Sequence, residues 1–184
     1  MRSSEFNKFP QYVLIFAALS FGGWITETVF FYLYYGKLYD RGFLTLPFCT
    51  IYGFSLILLY FLIGTPSRNG PLLVPIRSSV VRGVLYFLLS MLIPTSIELI
   101  TGIFFDRLFH LRLWTYTNYR FHFRGYICLE YALLWGILIP FCMEWLFLPL
   151  LKRIQLFSDQ TASILSKSTA VVLTIDWASS FVKL

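Results

Sequence analysis

Carboxylates inside apolar sequence are the first residues that demand a chemical explanation. Glu27 stands within GGWITETVFF, Glu98 within a run that continues to Phe105, and Glu130 just after Tyr126. A charged side chain in hydrocarbon is costly, and by default it marks a functional site with a partner nearby. Arg41, Arg112 and Arg124 lie in the polar stretches beside these runs. A guanidinium meets a carboxylate through short, often bidentate hydrogen bonds, and a carboxyl group left without one takes up a proton. Trp114 and Tyr116 share the longest of these stretches, and such rings favour the membrane–water interface. Glu27, Arg41, Glu98, Arg112, Trp114, Tyr116, Arg124 and Glu130 therefore make a candidate polar chamber. Two roles are open to it: holding a ligand, or locking helices together through ion pairs. No catalytic residue stands out.

The elements that must position these residues are membrane helices. Of the 184 residues, 58% are hydrophobic, 20% aromatic and only 13% charged. A soluble domain carries about 25% charged residues. The expected fold class is all-α, a polytopic integral membrane bundle of about five helices. A span needs about 20 apolar residues. Tyr12–Tyr35, Phe43–Gly64, Val80–Phe105 and Tyr126–Leu151 meet that need. Thr161–Val182 is weaker, because it is rich in Ser and Thr and holds Lys167 and Asp176; it either spans or lies flat at the interface. The expected organisation is an interfacial segment at 1–11, a four-helix core at 12–153 and a C-terminal helix at 154–184.

Depth arithmetic gathers the acids. At about 1.5 Å per residue, Glu27 lies roughly 12 Å, Glu98 roughly 11 Å and Glu130 roughly 6 Å from the same face of the membrane. Asp176 joins them if the last helix spans, and Glu144 lies toward the opposite face. Ser20, Gly23, Trp24 and Glu27 share one helix face, as do Thr95, Glu98, Thr101 and Gly102. Small residues beside an acid allow a close approach by another helix or a ligand.

The net charge of +6 does not point to nucleic acid, since the basic residues are scattered between apolar runs as headgroup anchors. They divide evenly between the two faces, and the expected cytoplasmic N-terminus rests only on some of them being tied to acids. Cys49, Cys128 and Cys142 have no disulfide or zinc spacing and read as small buried hydrophobes. His110 and His122 read as loop histidines at headgroup level. No metal and no cofactor is expected.

Longer motifs appear in order: GGWITE, DRGFLTLPFCTIYG, ELITG and LWTYTNYRFHFRGYICLEYALLWG. On these motifs the chain resembles the CmpB family of type IV ABC-transporter permeases and the related animal transmembrane protein 229 family, over roughly residues 16–150. The resemblance marks Gly23, Trp24 and Glu27, then Arg41, Gly42, Pro47, Cys49, Tyr52 and Gly53. It also marks Glu98 and Gly102, and Trp114, Tyr116, Gly125 and Cys128. It departs at Thr115, where the family has Asp, and at Leu46 and Thr50, where bacterial members commonly have Gly and Pro. Without a Walker A motif the chain hydrolyses no ATP by that route, so the resemblance implies a separate ATPase or other membrane subunits as partners beside the bilayer. The expected function is permease- or transporter-like handling of a small polar or lipid-headgroup ligand. The alternatives are a membrane enzyme acting on a lipid at the interface, and a structural or accessory subunit of a larger membrane complex.

Overall fold

The computed structural model describes residues 8–38 and 42–183. Five helices dominate them: α1 Phe9–Tyr35, α2 Thr50–Ile63, α3 Ser79–Phe109, α4 Leu129–Ile154 and α5 Asp159–Val182. Two antiparallel hairpins are inserted between them. β1 (Gly64–Thr65) pairs with β2 (Arg68–Asn69) after α2, and β3 (His122–Phe123) pairs with β4 (Ile127–Cys128) before α4. The all-α membrane class is as expected. α1, α3 and α4 are long and apolar enough to cross a bilayer. Their apolar residues lie on every side, and large ones such as Leu33, Ile100 and Ile137 face outward. A helix that is hydrophobic all round belongs in lipid.

The chain folds as two compact units: residues up to Phe54 with those from Pro149 onward, and Ser55–Leu148. In the first, α1 packs along α5. Pro10 starts α1 where its missing N–H costs nothing, and Gly36 closes the helix in the left-handed conformation, its N–H reaching the Tyr32 carbonyl at 2.8 Å. α5 buries Ala162, Ser166, Leu173, Asp176 and Ser180, a stripe at helical spacing. Ala17, Leu44 and Leu173 form a core there, with Phe43 and Trp177 against it.

The apolar run Phe43–Gly64 is helical only from Thr50 to Ile63. Pro47 explains the difference. It has no N–H to donate and disfavours the helical conformation at Leu46. Residues 43–49 therefore bend, and their backbone donors need other acceptors. Asp176 supplies them: its two carboxyl oxygens accept from the Thr45 N–H at 3.2 Å and the Leu46 N–H at 3.0 Å. The Cys49 N–H reaches the Ser20 carbonyl at 3.0 Å.

In the second unit α3 packs against α4. Ser78 caps α3, accepting from the Val81 N–H, and Pro94 sits within the helix. α4 changes to π-helical winding over Cys142–Phe147. Pro140 and Pro149 bracket that stretch, and each displaces the carbonyl four residues before it. The β1–β2 hairpin is held to the same unit at two points. Tyr86 donates to the Gly64 carbonyl at 3.0 Å, and Glu144 accepts from the Ser67 N–H at 3.1 Å. Gly64 has φ of +73°, and a Cβ there would overlap the Arg68 carbonyl, so only glycine fits.

Candidate functional site

The second unit builds a polar column along the α3–α4 contact. Glu98, Gly102 and Asp106 recur every fourth residue and so share one face of α3. At the deep end, the Trp135 indole donates to Glu98 Oε1 at 3.1 Å. Gly102 is buried at mid-height, and a Cβ there would stand 3.0 Å from the Tyr126 ring and 3.6 Å from the Trp114 ring. At the outer end, Tyr126 donates to Asp106 Oδ2 at 2.5 Å, and Arg112 reaches the same oxygen at 3.3 Å while lying 5.0 Å above the Tyr126 ring. Asp106 is thus held by a cation and a phenol together.

The loop between α3 and α4 is shaped to deliver these groups. His110 ends α3 with φ of 53°, so the chain turns back at once. Trp114 donates through its indole nitrogen to the Tyr126 carbonyl at 2.8 Å, which ties the loop to its far end. The Tyr116 N–H reaches the Gly125 carbonyl at 2.9 Å. Gly125 is buried with φ of +77°, and a Cβ there would press on Thr117 and Thr115. Tyr116, Tyr119 and Tyr131 pack against one another in edge-on and tilted contacts, and the last of these continues to Trp135. Aromatic rings therefore run from the loop down to the partner of Glu98.

The expected residues are distributed as follows. Arg112, Trp114, Tyr116, Glu98 and Gly102 come together in this column. The carboxyl partner of Arg112 is Asp106, just past the apolar run that ends at Phe105 and not among the expected residues; the signal for it is the fourth-residue spacing from Glu98. Tyr126 was likewise missed as the phenol that completes the group. Glu130 is exposed at the start of α4, with the Cys128 thiol hydrogen-bonded to it. The Arg124 guanidinium lies 5.8 Å over the Phe123 ring, and its carbonyl accepts from Arg112. Arg41 lies outside the described residues. In the first unit, Ser20 and Gly23 face the start of α2, where a Cβ on Gly23 would come within 2.5 Å of the Tyr52 ring. Trp24 stacks on Phe21 with centroids 6.1 Å apart, and Glu27 is half-buried.

Two chemical alternatives are weakened by this geometry. Burial, first of all, pushes the Cys128 thiol up from its ordinary value, which opposes a thiolate nucleophile. His122 accepts the Gly125 N–H through Nδ1 at 3.0 Å, so that nitrogen is engaged in the hairpin turn. Among the described residues, no group of three or more His, Cys, Asp and Glu side chains converges to hold a metal. Thr115 stands where Asp was expected, and its hydroxyl accepts from the Thr117 N–H at 3.4 Å. That is the bond a turn-forming Asp would make, so the replacement keeps the turn.

Comparison with known proteins finds a family. The model of the CmpB family, described as "Putative ABC-transporter type IV", matches residues 14–181. No curated protein and no solved structure matches the chain.

Proposed function

Because the chain belongs to the CmpB family, with its description as an ABC-transporter family and its match over nearly the whole length, we propose that it is a permease-like subunit. Its ligand is a small polar molecule or a lipid headgroup, handled along the Glu98–Gly102–Asp106 face. The family match and three apolar helices make this a membrane transporter-like protein; the ligand and the site are our reading. The observation that carries it is the column itself. Two carboxyl groups two helical turns apart, roughly 12 Å by helix rise, flank a glycine and are lined by indole and phenol donors. Intramembrane acids on a shared face typically mark a pathway. Energy from ATP would come from a separate ATPase subunit, since the sequence holds no Walker A motif.

The test compares Glu98→Gln with the wild-type chain in nanodiscs. Gln keeps the side-chain oxygen that accepts from Trp135 but removes the charge. We expect a thermal midpoint close to wild type and at least about tenfold weaker binding of the cationic ethanolamine and choline headgroup probes, as for loss of one charged contact. Arg112→Lys should weaken the same probe without unfolding the loop, because Lys cannot bridge Asp106 and the Tyr126 ring as a flat guanidinium does. A lowered midpoint with unchanged probe binding would assign both residues to helix packing and end this reading.

A further inference from the structure

A second polar site lies at the other end of α3. Arg82 precedes Asp106 by roughly 36 Å of helix rise, so the two sites are independent. A cavity of about 300 Å³ opens there, lined by Asn69, Ser79, Arg82, Gly83, Tyr86 and Phe87 among others. That volume is at the lower end of ordinary ligand sites. Its walls are fixed. Tyr86 is buried and anchored to the Gly64 carbonyl, and Phe87 lies so close to Gly136 that a Cβ there would stand 2.7 Å from its ring. The space is therefore a built feature of the hairpin and the two helices.

One buried donor beside it lacks an acceptor. Arg82 donates through Nη2 to the Arg77 carbonyl at 3.3 Å, but its Nε is buried and has no hydrogen-bond partner among the described residues. A buried donor without an acceptor is costly and calls for one. Ser79 stands in the first turn of α3, where the helix presents partial positive charge and unpaired N–H groups. Asn69 adds an amide, and Arg68 and Arg77 are exposed close by in the chain. Glu144 accepts from the Ser67 N–H of this hairpin and also acts on Tyr86, so Arg82 is the group that must outweigh its charge at the cavity. The group that satisfies a guanidinium, a helix N-terminus and an amide together is an oxyanion with several acceptors. Val80 and Val84, in the same turns of α3 as Ser79 and Gly83, are exposed apolar residues, which suits a ligand whose charged group is attached to acyl chains.

We propose that this cavity binds a phosphate group, carried by an anionic membrane lipid or by free phosphate. Gly83 provides the decisive variant. It lines the cavity, and a Cβ on it would meet nothing within 4 Å. Gly83→Leu therefore starts from an unobstructed Cβ and adds bulk to the cavity wall, and replacing a helical glycine favours the helix. The chain is reconstituted in phosphatidylcholine vesicles, with phosphatidic acid added in one arm and inorganic phosphate in another. Thermal midpoint and native mass spectrometry are the readouts. We expect phosphatidic acid to raise the midpoint and remain bound, and both Arg82→Gln and Gly83→Leu to weaken that binding roughly tenfold or more, as for a lost charge-assisted contact. Gly83→Leu should match or exceed the wild-type midpoint in phosphatidylcholine alone. A shift produced by inorganic phosphate alone identifies the free ion as the source, and a shift only with phosphatidic acid identifies the lipid. If Arg82→Gln does not fold, Gly83→Leu decides alone. Wild-type binding by Gly83→Leu, or equal behaviour with phosphatidylcholine alone, with added phosphatidic acid and with added inorganic phosphate, overturns the proposal.

Discussion

Asp176→Ala should destabilise the chain in detergent by about 3–5 kcal/mol, the sum expected for two hydrogen bonds to one buried carboxyl group. Asp176 is only 6% exposed. Its two oxygens hold the Thr45 and Leu46 N–H groups. Those donors belong to a stretch that is neither helix nor strand, so no regular ladder takes them over when the acid is gone. In a bilayer the orphaned groups find no water either. Asp176→Asn should lose about half as much, because the amide keeps one acceptor oxygen and turns its NH₂ toward the other donor. Thermal unfolding in detergent measures the loss, and hydrogen exchange at Thr45 and Leu46 locates it. An alanine variant that melts with the wild type, its two amides still protected, would show that the segment is held by its neighbours. The neighbouring bonds of the Thr45 hydroxyl, from Lys183 at 3.0 Å, give that outcome a physical route.

Asp176 also shows where reading the sequence succeeded and where it stopped. The spans α1, α3 and α4 were legible because 20 or more apolar residues in a row have one main solution in a membrane. Pro47 carries a local signal for the break in the second run, because proline disfavours helix at the residue before it. What the break required was not legible, because the acceptor lies about 130 positions away and no local pattern links Asp176 to Thr45. The column in the second unit divides in the same way. Glu98, Gly102, Arg112 and Trp114 carry local signals: an acid in an apolar run, a small residue on its face, and a basic aromatic loop. The choice of Asp106 as partner of Arg112 depends on how sharply His110 turns the chain. That turn is a left-handed conformation at a non-glycine residue, which sequence alone does not announce. The π-helical stretch of α4 is of the same kind. Pro140 and Pro149 are visible, but the winding between them is set by packing.

The adjacent glycines Gly22 and Gly23 should respond in opposite directions to the same substitution. A Cβ on Gly22 meets nothing within 4 Å. Gly22→Ala should therefore be neutral or stabilising by up to about 1 kcal/mol, through helix preference. A Cβ on Gly23 would stand 2.5 Å from two atoms of the Tyr52 ring. Gly23→Ala should destabilise by about 1–3 kcal/mol, as overpacking does. Gly53→Ala should be the most damaging of the three, at or above the top of that roughly 1–3 kcal/mol range. Its Cβ would come within 2.5 Å of the Phe16 carbonyl oxygen, which is backbone and cannot swing aside, and closer still to the Ser20 hydroxyl. That hydroxyl already donates to Phe16, and the Ser20 carbonyl already accepts from Cys49. One face of α1, from Phe16 to Gly23, thus meets the start of α2 at backbone distance. The resemblance marks Gly23, Tyr52 and Gly53 and passes over Gly22, as the contact requires. Thermal midpoints of the three alanine variants in one detergent test the argument. Equal losses at positions 22 and 23 would assign the pair to flexibility of α1. The expected order, with Gly53 worst and Gly22 harmless, assigns Gly23 and Gly53 to the contact between α1 and the start of α2.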